Sequence, residues 1–251
     1  MKAAVALAEI LARPDVWCAD RLASATILAL ASGFARLDAE LPGGGWPRGA
    51  LTEILADGAG LGECSLLLPV LGRMREEGRW SLLVAPPYSL NGTAWAARGI
   101  DLARLAVVSP GRPRDALWAA EHALASGALG ALLCWMTHID AAQVRRLQVA
   151  VAGSDTLAFL FRPLRARSEA SAAALRLLLT AGAHATLAVD LLKRRGPPCA
   201  RTLHLEVPRP LLWRADHELR PSDAGDADDP ALAGPASAPS CARSQRPLAF
   251  A

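Results

Sequence analysis

Residues 41–65 read LPGGGWPRGALTEILADGAGLGECS, and this stretch decides the fold class. Three glycines between Pro42 and Pro47 make a loop, because Gly reaches positive φ freely and Pro cannot continue a ladder. Residues 50–55 (ALTEIL) are a short apolar run, read as a buried strand. Residues 56–65 form a glycine-rich turn. Residues 66–77 read as a helix, with Pro69 in its first turn or kinking it. Strand, glycine-rich turn and helix is the setting of a phosphate-binding loop.

The side chains of this loop oppose that chemistry. A working loop reads G-x-x-x-x-G-K-[ST], with the lysine on the β- and γ-phosphates and the hydroxyl on magnesium. Here Gly62 supplies the last glycine, Glu63 stands in the lysine position and Cys64 in the hydroxyl position. The first glycine is replaced by Asp57 or slides to Gly58. Two like charges at ~4 Å repel by about 4 kcal/mol at an effective dielectric of ~20. Ser65 cannot offset the missing cation. A tight strand-to-helix connection kept for its geometry is the plainer reading. Gly58, Gly60, Gly62, Glu63 and Cys64 are therefore expected to form a degenerate loop that does not bind ATP, with no cofactor.

Outward from this loop, buried strands alternate with helices. Strands are expected at 81–85, within 104–109, and at 129–136, 156–161, 175–180, 185–192 and 202–207. Helices are expected at 2–12, 115–126 and after Asp140, where Val144, Leu147 and Val151 share a face. Residues 21–31 fit either helix or strand. Near-continuous apolar strands separated by helices imply a mainly parallel sheet covered on both faces, with the late, closely spaced strands antiparallel. Pro, Ala, Asp, Gly and Ser dominate residues 220–251, which read as a disordered tail.

Composition narrows the function classes. The chain has 251 residues, 52% of them hydrophobic, enough for a real core without disulfides or metal. Five cysteines (18, 64, 134, 199, 241) show no C-x-x-C pair, and five histidines no metal spacing, so no metal is expected. No run suits a spanning helix, and the apolar run after Lys2 is broken at Glu9, so a cytoplasmic protein without a membrane segment is expected. The net charge of +3 gives no large basic footprint for DNA.

Residues 32–55 (SGFARLDAELPGGGWPRGALTEIL) resemble the entry to the RecA-type ATPase core. That entry carries a Ser/Thr-Gly, a Leu-Asp, a Leu-Pro-Gly-Gly-Gly and a Gly-x-(Leu/Ile)-x-Glu-Ile before the phosphate loop. With Leu11-Ala12-Arg13-Pro14-Asp15-Val16-Trp17 upstream, the Leu41 to Gly49 block is similar to that of the ImuA family, RecA-like accessory proteins of translesion synthesis, to which SulA-like division inhibitors are related. Residues 147–163 and 192–207 extend the resemblance, which covers about residues 10–213. Together with the helix read at 2–12 and the composition change after Leu219, it gives an expected helical arm at 1–31, a RecA-like domain at 32–218 and a disordered tail at 219–251.

The resemblance also marks losses. The place of the catalytic glutamate is held by Pro86 and Pro87, and the strand that should end in the magnesium aspartate ends Leu133-Cys134-Trp135-Met136. With the lysine also gone, no enzyme activity is expected. The first DNA loop is cut to 137–142, and the second corresponds to 162–171. Arg162, Arg165, Arg167 and the turn Lys193, Arg194, Arg195 become candidate partner or DNA contacts, against the plainer reading of solvated loops. Trp17 and Trp46, in irregular segments, are candidate exposed anchors.

The function implied is a non-catalytic adaptor in SOS-induced translesion synthesis and mutagenic repair. Its implied partners are an inactive Y-family polymerase of the ImuB type, an error-prone replicative-type polymerase and RecA, with weak or indirect DNA contact. The alternative is a SulA-like cell-division inhibitor that binds FtsZ.

Overall fold

The computed structural model describes residues 28–58, 60–182 and 186–207. The expected helix at 2–12, the Trp17 anchor and the tail lie outside these residues.

Among the described residues, ten strands and five α-helices follow one another. They are β1 (Ala29–Leu30), α1 (Ala35–Asp38), β2 (Trp46–Pro47), β3 (Ala50–Ala56), α2 (Glu63–Glu76), β4 (Trp80–Val84), α3 (Gly92–Ala96) and β5 (Leu105–Val108), then α4 (Pro113–Ala125), β6 (Leu129–Trp135), α5 (Ala141–Val151), β7 (Leu157–Pro163), β8 (Leu175–Ala181), β9 (Thr186–Lys193) and β10 (Leu203–Glu206). Eight strands form one sheet in the order β10-β9-β8-β3-β7-β6-β4-β5. The six from β8 to β5 are mutually parallel. β9 runs antiparallel to both β8 and β10. This is a mixed α/β fold with a large, mostly parallel sheet flanked by helices.

Alternation along the strands divides the core. Ile54, Leu83, Leu133 and Phe159 face α2, which buries Leu66, Leu67, Val70, Leu71 and Met74. Leu51, Leu82, Val84, Leu132 and Leu160 face α4 and α5. Pro113 starts α4 at a position where its missing N–H costs nothing, and Gly127 (φ +68°) follows its end. α5 opens with a reciprocal capping box. The Asp140 carboxylate accepts from the Gln143 amide at 2.8 Å, and the Gln143 side chain accepts from the Asp140 amide at 3.0 Å.

Three details depart from expectation. Pro69 lies in the second turn of α2, not the first. Gly33 (φ +91°) accommodates it, since a Cβ there would sit 2.6 Å from Pro69 Cβ. Residues 41–49 are not all loop, because β2 pairs antiparallel with β1. Gly45 allows that pairing, because a Cβ there would lie 2.3 Å from the Leu30 carbonyl oxygen. The short helix α3 is unanticipated, though Asn91 caps it by accepting from the Ala94 amide at 3.0 Å.

Candidate functional site

The parallel strands deliver their carboxyl ends to one edge of the sheet, where open α/β folds place ligands. A cleft of about 540 Å³ lies there. Its walls come from the ends of β3, β6 and β7, the segment after β4, and the start of α4. Trp135 and Phe161 stack at 4.6 Å and 10° and make its apolar wall. Glu63, Arg112 and His138 contribute charged or titratable groups.

Gly58, Gly60 and Gly62 all take positive φ (+110°, +90°, +103°), which only glycine adopts without strain. The turn they make points amides inward, as in anion-binding nests. Glu63 fills this nest with its own carboxylate. The Gly60 amide donates to Oε1 at 2.9 Å and to Oε2 at 3.1 Å, and the Gly62 amide donates to Oε2 at 3.1 Å. The side chain is buried at the first position of α2, where a negative charge complements the helix dipole. Beside it, burial and then the Glu63 charge push the Cys64 thiol up to about 12.

Behind the cleft sits a charge cluster that short-range patterns do not announce. Glu53, fully buried on β3, accepts from Arg162 Nη1 of β7 at 2.7 Å and from Arg176 Nε of β8 at 2.5 Å. Arg162 Nη2 also donates to the Ile139 carbonyl at 2.8 Å and to Glu169 at 2.6 Å. Burial opposes its charge, and the hydrogen bonds to Glu53 and Glu169 outweigh that, raising its pKa.

These positions correct two candidate contacts. Arg162 is not a surface cation, because its guanidinium is sealed between strands and spent on Glu53 and Glu169. Trp46 is not an exposed anchor, because it is fully buried and meets Phe159 edge-on at 5.3 Å. Its loop residues are irregular, but β1 folds over them and closes the core.

The other basic residues spread over two regions. Arg165 and Arg167 are exposed in a 3₁₀ turn after β7, with Arg165 donating to the Thr137 carbonyl at 2.6 Å. Lys193 donates to the Ser171 carbonyl at 3.0 Å, Arg194 pairs with Glu40 at 2.8 Å, and Arg195 is exposed. At the far sheet edge, Leu102, Val107 and Val108 around β5 are 43%, 46% and 36% exposed, an apolar strip the sequence reading did not single out. Among the described residues no group of three metal-ligating side chains gathers, and no helix is long and apolar enough to cross a membrane.

The family model "Cell division inhibitor SulA" matches residues 49–158, from the start of β3 into β7. The chain is 30% identical over 106 residues to SulA of Pectobacterium atrosepticum, covering 42% of this chain and 63% of the relative. It is 31% identical over 108 residues to SulA of Photorhabdus laumondii, covering 43% and 61%. The chain thus spans about three fifths of the length of these curated relatives. The crystal structure of SulA from Pseudomonas aeruginosa aligns with 24% identity and a TM-score of 0.38, over 45% of this chain and 97% of that one.

These likenesses overturn the translesion-synthesis reading. The family that matches is SulA, the stated alternative, and the similar curated proteins carry that name. The partners expected with the first reading, an ImuB-like polymerase, an error-prone replicative-type polymerase and RecA, fall with it. That reading leaned on residues 11–17, 32–55, 147–163 and 192–207, which overlap the matched segment 49–158 only at its two ends. What stands is a SulA-like chain built on a mostly parallel α/β sheet.

Proposed function

We propose that this chain is a cell-division inhibitor of the SulA type, acting in the cytoplasm on FtsZ by binding and without catalysis. The observation that carries this is the SulA model over residues 49–158, which includes the glycine-rich turn, α2, α4, α5 and the strands between them. A damage-induced block of division suits such an inhibitor.

The finer fold reading is a degenerate RecA-like core. Parallel strands with a glycine-rich turn after β3, at the carboxyl edge of the sheet, support it. So does the chemistry of the loop. Glu63 supplies internally the negative charge that a nucleotide phosphate would bring, and no lysine stands beside it. The protein then needs only a surface. The apolar strip at β5, inside the matched segment and on an edge strand, is the best suited to meet FtsZ.

The test is purified full-length chain added to FtsZ polymerising with GTP, read by sedimentation and GTPase rate. Near-stoichiometric suppression of both, with no ATP hydrolysis by the chain, is expected. Unchanged polymerisation, together with normal cell length on overexpression, would overturn the reading.

A further inference from the structure

The outer face of the α4–α5 layer takes no part in the cleft or the β5 strip. α4 turns Ala116, Leu117, Ala120 and Leu124 inward and leaves Trp118, His122 and Ala125 outside. α5 buries Val144, Leu147 and Val151 and leaves Ala142, Arg145, Arg146 and Val149 outside, at the i, i+3, i+4, i+7 spacing of one helical stripe. A groove of about 530 Å³ runs between the two helices.

Three observations define what fits it. The floor is low, since Ala125, Ala142 and Ala150 line it and let a backbone come close. Two apolar side chains stand unburied at it, Val149 in the lining at 66% exposed and Trp118, one turn before His122, at 61%. Trp118 is also held in place, because its ring packs on His122 with centroids 4.1 Å apart and planes tilted by 33°, and His122 lines the groove. An aromatic already ordered loses little freedom on binding.

Charge selects the partner. Arg146 pairs with Glu121 at 2.6 Å and ties the two helices together. Arg145 is exposed, and among the described residues no carboxylate pairs with it. Arg114, one turn before Trp118, shares Asp115 with Arg112. The groove therefore presents exposed Val149 and nearby Trp118 beside the unneutralised charge of Arg145. We propose that it docks an amphipathic helix of a partner protein, whose apolar stripe is flanked by carboxylates. A second copy of this chain fits poorly, because a two-fold contact would bring like arginines together. Nucleic acid fits poorly too, because phosphate tracking needs a longer basic stripe than alternates here with Val149 and alanines.

The test uses the full chain and two labelled helical peptides with the same Leu stripe, one flanked by Glu and one by Lys. Fluorescence anisotropy should show the Glu peptide binding at least roughly tenfold tighter. Val149→Glu and Arg145→Glu, each confirmed folded by circular dichroism, should each cost that peptide about tenfold or more. A photo-crosslinker at position 149 in cells should then capture a helical segment rich in Asp and Glu. Equal binding of the two peptides, or binding indifferent to both substitutions, would overturn the proposal. So would crosslinks only to nucleic acid or to a second copy of the chain.

Discussion

The Glu63 carboxylate grips the Gly60 amide with both oxygens, at 2.9 and 3.1 Å, and takes the Gly62 amide at 3.1 Å as well. A glycine-rich turn with inward-pointing amides is here closed by a side chain of its own helix. The converging amides favour an anion, and the Glu63 carboxylate supplies it with charge-assisted hydrogen bonds.

Glu63→Ala should therefore destabilise the protein by about 1–3 kcal/mol, the cost of orphaning charge-assisted amide contacts. Inorganic phosphate or sulfate should restore part of the lost melting temperature in Glu63→Ala, because the emptied nest can take an exogenous anion. The unaltered chain should not respond beyond the general salt effect. Thermal denaturation across a phosphate series checks both. An equal response of the two proteins would show that Glu63 does not act as the internal anion.

Glu53→Ala should cost more, about 3–5 kcal/mol, because it leaves buried Arg176 without a carboxylate and Arg162 with Glu169 alone. Arg162 and Arg176 both point their charge at this one carboxylate, from the strands on either side of β3. Replacing Arg176 alone by Met should cost less, since Glu53 keeps Arg162. Urea unfolding of the three proteins gives the ranking. A Glu53→Ala loss below about 1 kcal/mol would mean that water or local rearrangement rescues the arginines.

How much of this could be read from the chain alone differs by element. The central strands were legible because parallel strands buried on both faces are nearly all apolar, as in 129–135 and 157–161. The start of α5 was legible from Asp140 and its apolar spacing. The Glu53 cluster was not, because its arginines lie 109 and 123 residues away and only the sheet order joins them. Trp46 misled for a related reason. A tryptophan among glycines and prolines reads as exposed, but the cover that buries it begins at β1, a two-residue strand with no periodicity to detect. The functional reading went astray because residues 11–17 and the Leu41 to Gly49 block were weighed above the strands and helices between 56 and 146, which the SulA model also matches.

Thiol chemistry separates the cysteines. Burial pushes the Cys134 thiol up to about 12, and burial with the Glu63 charge does the same for Cys64. At about pH 8 the reactive thiolate is then roughly one part in ten thousand at either site. In a chain with Cys18 and Cys241 changed to Ser, iodoacetamide should label Cys199 promptly. Cys64 and Cys134 should react only after denaturant is added. Mass mapping of the alkylated peptides decides this, and early labelling of Cys64 would mean that the glycine-rich turn opens readily.

Acid should loosen the contact that ties the turn after β9 to the end of α1. Glu40 accepts from Arg194 at 2.8 Å and from Arg201 at 2.6 Å. The Arg194 hydrogen bond holds its carboxyl below the ordinary 4.5, against the opposing effect of burial, with Cys199 and Arg201 adding to the lowering. A depressed folded-state pKa contributes stability above the unfolded value and loses it as the pH falls through the folded one. Glu40→Gln should therefore be less stable than the unaltered chain at neutral pH. The gap should narrow below about pH 4.5, as the unaltered carboxyl itself takes up a proton. It should also narrow with added salt, since Arg201 is largely exposed. Urea midpoints measured from neutral to acid pH trace the effect, and a gap independent of pH would assign the Glu40 contribution to packing instead of charge.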